Sequence, residues 1–132
     1  MRYRRLSYRY AVITQSNDPW AAVADRPGVS LAQTTWRPAA DMYETETLLV
    51  VVVELAGVDP EDVEVLLFED ALVIEGLRRL PPVESAIYHR VEIRQGTYRL
   101  ELPLPVPSDM DSVDATYERG LLQIILQKTG TR

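Results

Sequence analysis

Residues 36–128 show the hydrophobic pattern of many short strands separated by turns. Val63, Val65 and Leu67 recur at every second position and share one face, as do Leu122, Ile124 and Leu126, whereas residues 48–53 are a purely apolar run. Alternation with a period of two indicates half-buried strands, and a short apolar run indicates a strand that is buried on both faces. The predicted strands are residues 41–44, 47–55, 63–68, 71–78, 97–102, 113–117 and 121–127. Because no segment offers a crossover helix, this order predicts an all-β sandwich rather than a parallel sheet.

Turn residues lie between these predicted strands. Residues 59–61 (DPE) predict one helical turn, with Asp as the cap and Pro at the first position. Arg119 and Gly120 predict a tight turn between the last two strands. Gly76 lies inside a predicted strand, where glycine marks a bulge or a close approach of another group.

One connection is too long for an ordinary hairpin. Seventeen residues separate Arg79 from Thr97, and two prolines lie near the start of this segment. Residues 87–93 (IYHRVEI) alternate apolar and polar side chains in the manner of an exposed strand. A strand without an adjacent hairpin partner is a candidate for pairing with the edge of another subunit.

The amino-acid composition limits the kinds of functional site that the chain can form. The 132 residues are 46% apolar and 26% charged, which suits one globular domain. With no cysteine and with His89 as the one histidine, a thiolate site is excluded and a zinc centre lacks ligands. No apolar run approaches the length of a membrane span, and no signal peptide is evident. We therefore expect a cytoplasmic domain without metal or cofactor.

The net charge of −6 is unevenly distributed along the chain. Residues 1–35 hold five arginines and two aspartates, a net of +3, so residues 36–132 carry −9. Residues 14–35 lack periodicity and are typical of a linker. The sequence therefore predicts a basic arm attached to an acidic body.

The arm has two interpretations. Tyr3, Tyr8 and Tyr10 are interleaved with arginines, as in platforms for single-stranded nucleic acid. Alternatively, these side chains contact the acidic body or a bound protein, and the alternation around Tyr8 and Tyr10 permits a short strand. Because the rest of the chain would repel phosphates, nucleic acid is the lesser alternative.

Catalysis has little support in the sequence. His89 has no serine elbow to complete a triad, and the acidic pairs fall at predicted turns, where solvated charges are ordinary. The glycines are scattered and form no phosphate-binding cluster. We therefore expect a protein that is not an enzyme.

Five segments, in order, resemble the α-crystallin domain of the small heat-shock proteins. The family patterns are W-x-P-x-x-D-x-x-E, E-L-P-G-V-x-x-E-D, L-x-I-x-G, A-x-x-x-n-G-V-L and L-P-K. The matching segments are residues 36–44 (WRPAADMYE), 54–62 (ELAGVDPED), 72–76 (LVIEG), 115–122 (ATYERGLL) and 126–128 (LQK). Each match is weak evidence alone, but five matches in the family's order and register are specific for the family.

The resemblance implies an immunoglobulin-like antiparallel sandwich that acts as an ATP-independent holdase for unfolding proteins under stress. It also implies a homodimer in which residues 88–91 of the long loop pair with residues 37–43 of the partner subunit. The candidates for this exchange are Tyr88, His89, Arg90, Val91, Trp36 and Tyr43. The candidates for the family's client groove are Val63, Val65, Leu67, Val113 and Ala115. We expect that groove to be empty, filled by the arm with Tyr3, Tyr8 and Tyr10, or open to clients.

The chain departs from the family pattern at three places. Arg99 is displaced by one position from the family's strand arginine, so it should lie on the opposite strand face from that residue, and Leu100 takes the usual place. Gln127 stands where proline is usual. Only residues 129–132 follow Lys128, so the family's C-terminal I-x-I anchor is missing, although residues 104–106 (LPV) imitate its composition. We therefore expect dimers or small oligomers that depend on the arm.

These observations divide the chain into an arm and linker (1–35), a sandwich domain (36–128) and a short tail (129–132). The predicted function is that of a holdase whose partners are unfolding clients and a second copy of the chain. Two alternatives stay open: an adaptor or co-chaperone that binds one folded partner, and nucleic-acid binding through the basic arm.

Overall fold

The computed structural model describes residues 35–130 together with the backbone of Arg4–Arg5 and Arg9–Tyr10. Its strands, in chain order, are β1 (Arg4–Arg5), β2 (Arg9–Tyr10), β3 (Ala40–Glu44), β4 (Leu48–Glu54), β5 (Val63–Leu67), β6 (Ala71–Arg78), β7 (Gly96–Pro103), β8 (Asp114–Glu118) and β9 (Leu121–Gln127). Two 3₁₀ turns, Pro60–Asp62 and Met110–Ser112, complete the described elements. They provide no candidate for a membrane span. The expectation of an all-β fold is confirmed.

The strands form two sheets that pack face to face. The five-stranded sheet has the order β1-β8-β9-β4-β3, and the four-stranded sheet has the order β2-β5-β6-β7. Neighbouring strands are antiparallel, except that β2 runs parallel to β5. Beyond β7, Trp36 forms an isolated parallel bridge with Tyr98. This is the immunoglobulin-like sandwich that the sequence predicted.

Side-chain alternation fills the space between the sheets. In the five-stranded sheet, β4 and β9 contribute inward side chains at every second position, and in the four-stranded sheet β5, β6 and β7 do the same. The fully or almost fully buried members of this core are Leu49, Val51, Val53, Leu55, Val65, Leu67, Leu72, Ile74, Tyr98, Leu100, Ala115, Leu122, Ile124 and Leu126. Each large aliphatic side chain contributes about 1.5–3 kcal/mol by leaving water. The apolar run 48–53 is buried as expected, apart from Leu48 and Val52, which are partly exposed.

The predicted turns are confirmed. Asp59 caps the first 3₁₀ turn, since its side chain accepts a hydrogen bond from the Glu61 N–H at 3.0 Å. Arg119 and Gly120 both have positive φ, 56° and 78°, as a two-residue hairpin loop matched to strand twist requires.

Gly76 is a point of close approach rather than a bulge. It stays in register with Val63 on one side and Tyr98 on the other. A Cβ atom at this position would collide with the Asp62 carbonyl oxygen and would lie 2.8 Å from Cζ of Tyr98. The absence of a side chain therefore lets the first 3₁₀ turn pack against β6.

The long loop differs from its predicted conformation. Residues 79–95 form no strand within the described part of the chain, although residues 87–93 have the alternation of one. A strand needs a neighbour for its N–H and C=O groups, and this loop pairs with neither sheet of its own subunit. Its strand pattern therefore has no partner among the described strands of the subunit.

Candidate functional site

The N-terminal arm pairs with both sheets on the same side of the sandwich. β1 is antiparallel to β8, with Arg5 opposite Thr116, and β2 is parallel to β5, with Tyr10 opposite Leu67. β5 and β8 would otherwise be the edge strands of their sheets on this side. We call the backbone edges of β5 and β8 on this side, where β2 and β1 pair with them, the arm-covered edges.

The arm reaches these edges by main-chain pairing. The sequence singled out three arm tyrosines as contacts; Tyr10 lies in β2, whereas Tyr3 and Tyr8 lie outside the described residues. The short strand that alternation around Tyr10 permitted is present as β2. The pairing also involves the backbone of Arg4–Arg5, which the sequence did not indicate, because main-chain pairing leaves no side-chain signature.

The predicted groove residues lie on and beside β5 and β8. Val65, Leu67, Val113 and Ala115 are buried in the sandwich core, and Val63 is partly buried against it. Their side chains therefore hold the two edge strands in place from inside. A direct role for them in client contact stays a prediction.

The long loop exposes most of the large apolar side chains on the described surface. Of the seven such residues, five lie in this loop. They are Val83, Ile87, Tyr88, Val91 and Ile93, with Ile87 84% exposed. His89 and Arg90 are also exposed, and Arg90 forms an ion pair with Glu92 at 2.8 Å. A concentration of exposed apolar side chains of this kind marks an interaction surface.

The other exchange candidates lie on or near β3. In the described sheet β3 pairs only with β4, so its second edge is open, and Tyr43 is 49% exposed. Trp36 is engaged within its own subunit: its N–H donates to the Thr97 carbonyl and its carbonyl accepts from the Arg99 N–H, both at 3.1 Å. Trp36 therefore lies beside β7 in the four-stranded sheet and is not part of the open β3 edge.

Arg78 fixes the end of the long loop. Its guanidinium lies 4.3 Å from the centroid of the Trp36 ring, and its Nε donates to the Arg94 carbonyl at 2.7 Å. A second nitrogen donates to the Ala56 carbonyl at 3.3 Å, and the Trp36 indole donates to the Gly96 carbonyl. Nothing in the sequence pattern distinguishes Arg78 from other strand arginines, so this role was missed.

Tyr98 connects β7 to the first 3₁₀ turn. Its hydroxyl donates to the Asp62 carbonyl at 3.3 Å, and its ring packs against Trp36 with centroids 5.5 Å apart. Burial, reinforced by the nearby Asp62 charge, raises the pKa of Tyr98 well above its ordinary value.

Charged side chains lie on the outer face of the four-stranded sheet. Arg99 contacts Glu75 on β6 and Glu101 on its own strand, at 3.8 and 3.4 Å. Leu100 points into the core, so Arg99 faces the other way, as alternation along the strand requires.

The segment that imitates a tail anchor belongs to the core of this chain. Val106 is buried in the core cluster, and Leu104 packs against it. Lys128, which follows β9, forms an ion pair with Glu44 at 2.9 Å and donates to the Thr45 carbonyl at 2.8 Å. Among the described residues, no group of three or more His, Cys, Asp or Glu side chains could hold a metal ion.

Comparison with known proteins identifies relatives that all point to one family. Residues 41–132 match the model of the Hsp20/alpha crystallin family. The chain is 30% identical over 91 residues to a probable 15 kDa heat shock protein of Leptospira interrogans, covering 69% of each protein. It is 37% identical over 87 residues to the 19.0 kDa class II heat shock protein of Oryza sativa, covering 61% of this chain and 50% of that protein.

A solved structure extends the likeness to the fold. The small heat-shock protein of Xylella fastidiosa, described as having a distinct high order structure, superposes with a TM-score of 0.66 at 29% identity, covering 75% of this chain and 92% of that one. The family match spans most of β3 and all of β4 to β9. The chain belongs to the Hsp20/alpha crystallin family.

Proposed function

We propose that this protein is an ATP-independent holdase that binds unfolding proteins and keeps them from aggregating. The observation that carries the proposal is the pairing of the arm with both edges, β1 on β8 and β2 on β5. An edge strand presents a row of N–H and C=O groups to any extended peptide. An unfolding client supplies such peptides.

The arm is a weak occupant of these edges. Within the described part of the arm, each pairing involves two residues. A hydrogen bond contributes about 0.5–1.5 kcal/mol net, so a longer client strand can displace the arm by adding further pairs. We propose that β1 and β2 leave the arm-covered edges when a client binds there.

The working unit is a dimer formed by exchange of the long loop. Ile87, Val91 and Ile93 lie on one face of the loop if it is extended, and β3 offers an open edge next to the exposed Tyr43. Pairing the loop with β3 of a second copy would satisfy its backbone and cover its apolar side chains. The likeness to a Xylella protein of high order structure supports assembly beyond the single chain.

The test is aggregation of heated client proteins without nucleotide. Two unrelated clients are heated with and without an equimolar amount of this protein, and light scattering is recorded. We expect scattering of both clients to fall several-fold with no ATP present. Protection of one client alone would support an adaptor for a specific partner, and protection of neither would contradict the holdase.

A further inference from the structure

The two ends of the long loop are bonded to each other. Arg78, the last residue of β6, pairs with Gly96, the first residue of β7. Beyond this pair, the Nε atom of Arg78 donates to the Arg94 carbonyl at 2.7 Å. We call residues 78–80 and 94–96 the loop neck, because the chain leaves the sheet and returns to it there.

The Arg78 side chain joins this neck to the sandwich. Its guanidinium lies 4.3 Å from the centroid of the Trp36 ring, and a second nitrogen donates to the Ala56 carbonyl at 3.3 Å. Trp36 is held in turn, because its indole N–H donates to the Gly96 carbonyl at 3.2 Å. A planar guanidinium can stack on an aromatic ring and donate along its edge at the same time, which a lysine ammonium cannot do. One side chain therefore bonds both to the loop and to the sandwich.

Beyond the neck, the loop is not packed against the sandwich. Residues 81–95 are all exposed, and the ion pair of Arg90 with Glu92 lies within the loop itself. The Leu80 N–H donates to the Gln95 side-chain oxygen at 3.4 Å, which again connects the two sides of the neck. The contacts at the neck therefore set the direction in which the loop leaves its own subunit.

The same contacts fix the approach to β3. Trp36 lies four residues before Ala40, where β3 begins, and its backbone is bonded to Thr97 and Arg99 on β7. In an exchange with two-fold symmetry, each subunit provides one loop and receives the other loop on its own β3. A fixed relation between loop and β3 within each subunit lets both pairings form without further ordering of the loop. The contact of Arg78 with Trp36 connects the base of the loop to the start of β3.

We propose that Arg78 is a positioning residue for dimer formation, an inference that rests on the loop exchange of the proposed function. Its contacts hold the loop in the direction from which residues 87–93 reach β3 of a second copy. Without the guanidinium, the loop would turn more freely at its neck, and the cost of ordering it would oppose association. The neighbouring Arg79 lacks this role, because its side chain is 70% exposed and forms an ion pair with Asp62 at 3.7 Å.

Matched substitutions in the full-length protein test this assignment. Arg78→Gln and Arg79→Gln remove the same charge from adjacent residues, so the difference between them isolates the contacts of Arg78. We expect the dimer dissociation constant, measured by analytical ultracentrifugation, to rise at least tenfold in Arg78→Gln and to change less than twofold in Arg79→Gln. Arg78→Lys keeps the charge but should also raise the constant, because its ammonium cannot replace the stacked, multiply bonded guanidinium.

The direction of the loop is measured separately in a monomer. Because the protein has no cysteine, spin labels on His89→Cys in the loop and Glu69→Cys on the β5–β6 turn report one distance between exposed positions. The measurement uses a chain that also carries Ile87→Asp and Val91→Asp, so that exchange does not restrain the loop. We expect a narrow distance distribution in this chain and a clearly broader one after Arg78→Gln is added. A distribution that stays narrow would overturn the proposal, since Arg78 would then act on stability alone.

The outcomes separate this inference from the loop exchange itself. A dimer that depends on Ile87 and Val91 but has the same dissociation constant in Arg78→Gln would overturn the role of Arg78 alone. A dimer that persists with Ile87→Asp and Val91→Asp would overturn the loop exchange, and the role of Arg78 with it.

Discussion

Arg99 on β7 lies beside Glu75 on β6, with its Nε atom 3.8 Å from the Glu75 Oε2 atom, and both side chains are less than one-tenth exposed. Buried charges of this kind hold each other in place because the loss of either leaves the other in a poorly solvated site. The pair thus couples β6 and β7 on the outer face of the four-stranded sheet.

Removal of one charge of this pair should lower the stability of the fold. We expect Arg99→Met to lower the free energy of unfolding by about 3 kcal/mol or more, measured by urea denaturation, because the buried Glu75 carboxylate then loses the positive charge beside it. The double change Glu75→Met with Arg99→Met should recover a large part of that loss.

An exposed ion pair provides the control. Arg90 and Glu92 are 80% and 68% exposed in their side chains. Arg90→Met should therefore change the unfolding free energy by less than about 1 kcal/mol. Equal effects of Arg99→Met and Arg90→Met would contradict the importance of the buried pair.

Tyr98 should make the protein sensitive to alkaline pH. Burial raises the pKa of Tyr98 well above its ordinary value of about 10, which the unfolded chain retains. Below about pH 10 the phenol is protonated in both states and its contribution is intact. Above it, only the unfolded chain loses the proton, so stability falls as pH rises.

The comparison is with Tyr98→Phe, which cannot ionise. At pH 8 this variant should be less stable by about 1 kcal/mol, since the hydrogen bond to the Asp62 carbonyl is lost. Between pH 9 and 11, denaturation curves should show a smaller loss of stability in Tyr98→Phe than in the wild type. Parallel losses would show that Tyr98 is not the group responsible.

The apolar face of the long loop should control dimer formation. Ile87→Asp with Val91→Asp would place two charges where the proposed exchange buries apolar side chains. We expect the dimer dissociation constant to rise at least tenfold in analytical ultracentrifugation. Leu121→Asp is the control, because Leu121 is also an exposed apolar residue but lies on the β8–β9 hairpin. A dimer that survives the loop changes would contradict loop exchange.

Gly76 should not tolerate a side chain. Gly76→Ala forces a Cβ onto the Asp62 carbonyl, and we expect a loss of about 3 kcal/mol in denaturation experiments. Gly57→Ala is the contrast, since nothing lies within 4 Å of its Cβ position and only its φ of 75° is unfavourable. That cost should be about 1–2 kcal/mol. A larger loss of stability in Gly57→Ala than in Gly76→Ala would contradict crowding at the Gly76 Cβ position.

The sandwich was predictable because its signals are local. The alternation that places Leu72 and Ile74 opposite Val73 and Glu75 identifies β6, and Asp59 before Pro60 identifies the capped turn. The candidate site was harder to predict from the sequence. Arg78 acts through main-chain carbonyls that are distant in sequence, and β1 pairs through its backbone, so neither leaves a pattern in the residues themselves. The loop had strand periodicity, but no local signal says that its strand needs another subunit.

Hydrogen–deuterium exchange of the client-bound protein tests the central claim most directly. The protein is mixed with a heat-unfolded client, and the backbone amides of the free and bound forms are compared by mass spectrometry. Displacement of the arm from the arm-covered edges predicts that the amides of β1 and β2 exchange faster in the complex, while β5 and β8 remain as protected as before or become more so. Unchanged protection of β1 and β2 in a client-bound complex would contradict the displacement of the arm by clients.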